Sequence, residues 1–208
     1  MFADRIDAGR KLARSLARFA GDPCALVLGV PRGGVVVAAE VAEGLGLPLD
    51  VVIASKIGAP GNPEFAAGAV APDGIVTPNE RAGFSVEDIS RASEDVHRLI
   101  ERRLEAFRAG RPPLVLAERT AIVVDDGIAT GLTMRAAVAY LRRQHAARVV
   151  VAAPVMARDA KRAFESLADE VVALQAPADF WAVGQFYADF GQTPDAEVVR
   201  LLAEQYGR

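Results

Sequence analysis

The sequence predicts a three-layer α/β fold built on a mainly parallel sheet. Two observations carry that expectation. Short apolar, β-branched runs alternate with helical patterns along the chain, the order expected of parallel strands joined by crossover helices. Two of those runs end in loops of small residues that open directly into a helix, at 24–34 and at 121–133. At 208 residues, 51% hydrophobic and 25% charged, the chain is long enough for a sizeable core and ordinary in makeup for a globular protein. It reads as one domain over 1–208, with a core at about 24–174, a helical insertion at about 85–110, and a cover with a C-terminal helix at about 175–208.

The elements follow in order. Residues 3–20 read as an amphipathic helix with Ile6, Leu12, Ala13, Leu16 and Phe19 at helical spacing, stopped by Gly21-Asp22-Pro23. A strand is predicted over 24–30. Cys24 lies in its apolar run and is expected in the core; as the sole cysteine it excludes an internal disulfide and a cysteine-rich metal site. Pro31-Arg32-Gly33-Gly34 follows, then a Val/Ala-rich helix to about Leu45. The second strand, 49–55, leads into Lys56 and a Gly/Pro tract from Ile57 through Pro60 to Glu64, predicted to be a mobile loop. Residues 65–70 or 74–77 could return as an antiparallel edge strand.

Ser85 and Asp88 form a capping-box pattern that opens a long helix to about Ala109, apolar at Val86, Ile89, Val96, Leu99, Ile100 and Leu104; Gly110, Pro112 and Pro113 end it. A strand at 121–124 feeds the second small-residue loop and a helix over 134–143. Then come a strand at 147–153 closed by Pro154, a helix at 159–167 and a last strand at 170–174. Thr193-Pro194 reads as the cap and first turn of a C-terminal helix.

The stretch with the most chemistry is Ala121-Ile122-Val123-Val124-Asp125-Asp126-Gly127-Ile128-Ala129-Thr130-Gly131-Leu132-Thr133. A buried strand delivers two adjacent carboxylates to its end. The loop and the helix N-terminus then offer unpaired N–H groups to an anion such as phosphate. Thr130 and Thr133 add hydroxyl donors, and the small residues let a phosphate come close to the backbone. Carboxylates repel phosphate, but they accept from the hydroxyls beside it in a sugar phosphate and suit a divalent cation. The local chemistry is that of a ribose 5-phosphate cradle. Arg32, fixed in the Pro31–Gly34 loop, is suited to further phosphate oxygens.

This pattern resembles the signature of the type I phosphoribosyltransferases: an apolar strand, an acidic residue and Asp, then a loop ending Thr-Gly-x-Thr. Gly127 departs from it, standing where the family has an apolar residue, and is expected to loosen the loop. The resemblance implies a transferase that binds Mg²⁺, mainly through the pyrophosphate of its substrate phosphoribosyl pyrophosphate, with no protein-only metal site. Asp125, Asp126, Lys56 and Arg32 would be its catalytic residues. Gly127, Ile128, Ala129, Thr130, Gly131, Leu132 and Thr133 would hold the 5-phosphate. Gly33 and Gly34 would belong to the pyrophosphate loop, and the tract after Lys56 would be the family's flexible loop; sequence physics alone makes the Pro31–Arg32 bond trans, whereas the resemblance implies that it is cis or can become cis when pyrophosphate binds.

The aromatic tract from Gln175 to Phe190 looks like the family's cover over the acceptor base, with Phe180, Trp181 and Val183 as contacts. It matches the hypoxanthine-guanine type loosely: no lysine precedes it, and Ala129 stands where that type has an acid. Ala-Thr-Gly occurs in the adenine type. The resemblance implies a nitrogenous base as acceptor, with purines among the candidates, and leaves its identity open.

A net charge of −3 indicates no general attraction to nucleic acid. Early charges at Asp4, Arg5, Asp7 and Arg10 leave no signal-peptide apolar region, and no apolar run is long enough for a membrane. A cytoplasmic homodimer is expected. The alternative reading is a regulator of the same fold that senses phosphoribosyl pyrophosphate while binding RNA or DNA, for which Arg98, Arg102, Arg103 and Arg108 would have to form one unpaired patch. A module that binds a nucleotide and catalyses nothing shares the same fold-level expectation.

Overall fold

The computed structural model describes residues 1–59, 61–79, 82–113 and 115–206. Pro60, in the tract predicted as a mobile loop, lies outside the described residues, as does the side chain of Val86.

Five strands form a parallel sheet in the order β2-β1-β6-β7-β8: β1 is Ala25–Gly29, β2 Leu49–Val51, β6 Thr120–Val124, β7 Arg148–Val155 and β8 Glu170–Gln175. Successive residues of each strand face opposite sides. Val27, Ile122, Val124 and Val150 pack with α1 (Arg5–Ser15), α2 (Gly33–Leu45) and α6 (Asp195–Tyr206) through Leu12, Val41 and Val198. Leu26, Val123 and Val151 pack on the other side with α4 (Leu132–Arg143) and α5 (Arg158–Phe164) through Met134, Leu141 and Phe164. The residues of β1 and, after Thr120, those of β6 are buried on both faces, which is why these strands read as continuous apolar runs. The three-layer α/β expectation holds.

The tract after Lys56 is not a loop. Ser55–Ala59 (β3) and Asn62–Val70 (β4) form an antiparallel hairpin, and β5 (Val76–Pro78) pairs with β4. Pairing shifts register on either side of Gly58, and Gly61 turns the chain at φ +77°. The glycines that signal a breaker in the sequence are here a bulge and a tight turn. The predicted returning strand exists, but in this separate three-stranded sheet. It packs against α3 (Val86–Arg108), whose Ser85–Asp88 capping box forms as expected.

Cys24 is exposed, not in the core: Asp22 Oδ1 accepts from its N–H at 2.9 Å, so an Asx turn holds it outside the sheet and the strand starts one residue later. Ile6 and Leu99, assigned to apolar helix faces, are also exposed. Pro154 does not end its strand, since pairing with β8 continues to Val155↔Gln175.

Chain order sets the site. From β1 the sheet grows one way, through α2 to β2; from β6 it grows the other way, through α4 to β7. The reversal opens a crevice beyond the carboxyl ends of β1 and β6, where open α/β sheets bind ligands.

Candidate active site

Both small-residue loops converge on that crevice. β1 ends at Gly29 and delivers Pro31-Arg32-Gly33-Gly34; β6 ends at Val124 and delivers Asp125 and Asp126. The Pro31–Arg32 peptide is cis, as the resemblance implied. The loops touch so closely that side chains are excluded. A Cβ on Gly33 would lie 2.0 Å from Asp126 Oδ2, and one on Gly34 would lie 2.8 Å from Asp125 Cα. The glycine pair is thus a packing requirement of the acidic pair.

Asp125 Oδ1 accepts from the Asp126 N–H at 2.8 Å. Burial pushes the Asp125 carboxyl well above the usual carboxylate range, and the neighbouring Asp126 charge pushes it further. Burial also raises Asp126, against the pull of an Arg5 hydrogen bond. Arg5 Nε donates to Asp126 Oδ2 at 2.7 Å, and both side chains are largely enclosed. Tyr187 donates its hydroxyl to the Asp126 carbonyl at 2.5 Å, and burial pushes its pKa up, so the phenol stays protonated.

After the acidic pair, the loop is ready for an anion. Among the described residues, the N–H groups of Gly127, Ala129, Thr130, Gly131, Leu132 and Thr133 donate to no protein acceptor, nor do the hydroxyls of Thr130 and Thr133. Gly131 takes φ +72°, and a Cβ there would meet Phe164 at 2.6 Å. Ile128 must be removed from the donor set: its N–H is bound to Val155 O at 3.0 Å, its carbonyl accepts from Ala157, and its side chain is buried. It anchors the loop to the end of β7. The expected loosening at Gly127 is also corrected. A Cβ there would lie 2.3 Å from Val183 Cγ1, so the missing side chain makes room for Val183 from the aromatic segment.

Arg32 is exposed at the start of α2, 3.7 Å from Asp195. Lys56 is exposed on β3 and has no ion-pair partner among the described residues; it sits on a paired strand and not ahead of a mobile loop.

Beyond β8 the chain folds back over the crevice. Val183–Phe186 form a 3₁₀ turn, and Phe180 packs on Phe186 at 5.2 Å between centroids. Gln185 Oε1 accepts from the N–H groups of Trp181 and Ala182, which fixes the backbone, while the Trp181 indole is 90% exposed. Residues 2–5 belong to the same layer. Phe2 N–H donates to Phe186 O, and Ala188 and Asp189 N–H donate to Phe2 O and Ala3 O. Sequence reasoning missed this contribution from the N-terminus. Arg5 entered the sequence reading only as one of the early charges of an amphipathic helix; its place two residues after Ala3 carries no local signal.

The largest recess described, about 520 Å³ between α1 and α2, contains no residue of either loop. We place the site by the loops, where donors and carboxylates converge. The arginine patch of the alternative reading does not form: Arg98 pairs with Asp95, and Arg108 pairs with the buried Asp50 at 3.1 Å. Among the described residues no helix is long and apolar enough to cross a membrane.

Residues 3–190 match the phosphoribosyl transferase domain family, and the chain belongs to that family. Two Mycobacterium tuberculosis proteins, from strains H37Rv and CDC 1551, carry names that assign them provisionally as phosphoribosyl transferases; each is 48% identical over 206 residues, 97% of this chain and 46% of the relative. The chain therefore spans about half the length of the curated relatives it matches. The crystal structure of TT1426 from Thermus thermophilus is 44% identical, covers 98% of both chains and superposes with a TM-score of 0.84. AQ2163 from Aquifex aeolicus, 11% identical over 83% of this chain and 74% of its own, shares the fold at a TM-score of 0.51.

Proposed function

We propose that this chain transfers the 5-phosphoribosyl group of phosphoribosyl pyrophosphate to a nitrogenous base, with purines among the candidates. The C–N bond forms at the anomeric carbon as the C–O bond to pyrophosphate breaks. One observation carries the reading: the acidic pair and the donor-rich loop meet the Arg32–Gly33 turn at the single crevice where the sheet reverses direction.

Each part has a task. The loop from Gly127 to Thr133, without Ile128, holds the 5-phosphate through N–H and hydroxyl donors. Asp125 and Asp126 accept from the ribose hydroxyls and favour positive charge as it develops on the sugar. Arg32, the N–H groups of Gly33 and Gly34, and Lys56 draw off charge on the leaving pyrophosphate. Asp195 must release Arg32 for this, a small cost for an exposed pair at 3.7 Å. Among the described residues no three metal-ligating side chains converge. A Mg²⁺ would be held mainly by pyrophosphate oxygens and water, the ligands this ion prefers. When bound, the ion neutralises pyrophosphate charge.

Ribose 5-phosphate soaked into crystals is expected to put its phosphate in the 127–133 loop. A phosphate bound elsewhere, with that loop empty, rules the reading out. Screening bases for pyrophosphate release then identifies the acceptor.

Trp181 supplies a test of the cover. Its exposed indole makes no packing contribution, so Trp181→Ala should leave the melting temperature within about 1–2 °C of the parent, as neutral surface changes do at this length. Loss of a stacking face worth about 1–1.5 kcal/mol should raise the KM for the base roughly five- to tenfold. An unchanged KM for the base would take Trp181 out of the acceptor site.

A further inference from the structure

We propose that Arg5 is a positioning residue of the phosphoribosyl site: it aims the Asp126 carboxylate at the ribose and bolts it to the aromatic segment. The proposal rests on the site reading above and adds to it a residue from the first turn of the chain's first helix.

The geometry is that of a three-way clamp. Nε donates to Asp126 Oδ2 at 2.7 Å, Nη1 donates to Gly191 O at 2.8 Å, and the guanidinium lies 3.9 Å from the centroid of the Phe190 ring. The planar fork of arginine permits these contacts together; an ammonium is a point charge that could replace one of them. Arg5 takes only Oδ2, and Asp126 Oδ1 has no partner among the described residues. One oxygen is fixed and the other is left for a hydroxyl.

The surroundings show that the clamp is built in. Gly33 passes so close that an added Cβ would lie 2.7 Å from Arg5 Nε. Asp4, the residue before, caps α1 by accepting from Asp7 N–H, which fixes the start of the helix that carries Arg5. A second link runs in parallel, from Tyr187 to the Asp126 backbone. The side chain and the backbone of one carboxylate residue are therefore both tied to 187–191. The charged groups facing Asp126 are Arg5 and Asp125, with the Tyr187 hydroxyl beside them. A surface ion pair would need none of this packing, and its removal would matter little.

The test is calorimetric titration of Arg5→Met and Arg5→Lys with two ligands, ribose 5-phosphate and inorganic phosphate. Arg5→Met should weaken ribose 5-phosphate by at least about tenfold, the scale of one charge-assisted hydrogen bond, and leave phosphate within about twofold. Arg5→Lys should recover part of the lost ribose affinity. Equal weakening of both ligands would mean that Arg5 merely supports the loop, and wild-type affinity in Arg5→Met would remove it from the site; either result overturns the proposal. If Arg5→Met does not fold, Arg5→Lys decides on the same two ligands, and wild-type values there overturn it. If the parent protein binds neither ligand, the site reading itself fails and the proposal falls with it.

Discussion

Asp125→Asn combined with Asp126→Asn is expected to reduce turnover of phosphoribosyl pyrophosphate by roughly a hundredfold or more, the scale of losing preorganised charge stabilisation at a reacting centre. The fold should persist, because Asn at 125 keeps an oxygen to accept from the Asp126 N–H. The single variant Asp125→Asn should go further and raise the melting temperature of the ligand-free protein at neutral pH. Burial and the Asp126 charge raise the Asp125 carboxyl above its unfolded value. The native state therefore binds more protons than the unfolded chain once pH exceeds about 4, where an unperturbed Asp ionises. Stability tied to this group is fully present below that pH and is lost as pH rises through the folded value. Asparagine has no proton to lose, so its advantage over the parent should grow with pH across that window and then level off. Thermal melts of parent and variant at a series of pH values measure it. A variant less stable than the parent at neutral pH would show that Asp125 serves packing and not substrate.

Gly33→Ala is expected to damage both stability and binding. Its methyl would lie 2.0 Å from Asp126 Oδ2 and 2.7 Å from Arg5 Nε. The carboxylate is held by Arg5 and cannot swing away freely, so the loop or the ion pair must move. Overpacking of this kind costs about 1–3 kcal/mol, and each kcal/mol lowers the melting temperature by about 2–4 °C at this chain length. Ribose 5-phosphate affinity should fall at least about tenfold, since the displaced group is the one proposed to accept its hydroxyls. Gly191→Ala is the control, because its methyl would meet only Asp189 Oδ1, at 3.8 Å. A Gly33→Ala protein that melts and binds like the control would show that the two loops do not need their close approach.

The parts of this fold legible in the sequence were those with a local physical cause. The parallel strands announce themselves because both faces are buried, as in Ala121–Val124. The Ser85–Asp88 box encodes a cap within a few residues. The hairpin from Ser55 to Val70 was hidden because Gly58 and Gly61 read as breakers, yet serve as bulge and turn. Asp22 took Cys24 out of the core by a side-chain bond that composition does not reveal. In the candidate site, the carboxylates and Thr-bearing loop were legible, whereas Arg5 and Tyr187 were not. Arg5 meets Asp126 across 121 positions and Tyr187 meets it across 61, and such partners have no signature at either end.

Trp181 is the chain's one tryptophan, and it stands almost fully in solvent on the segment above the crevice. All indole fluorescence of the molecule therefore originates at this position. An indole in water emits toward the red and one shielded by a stacked ring emits toward the blue or is quenched. The protein thus carries an optical gauge of its own cover: a spectral change on adding a ligand reads directly whether that segment has met something, without a dye, a label or knowledge of the reaction.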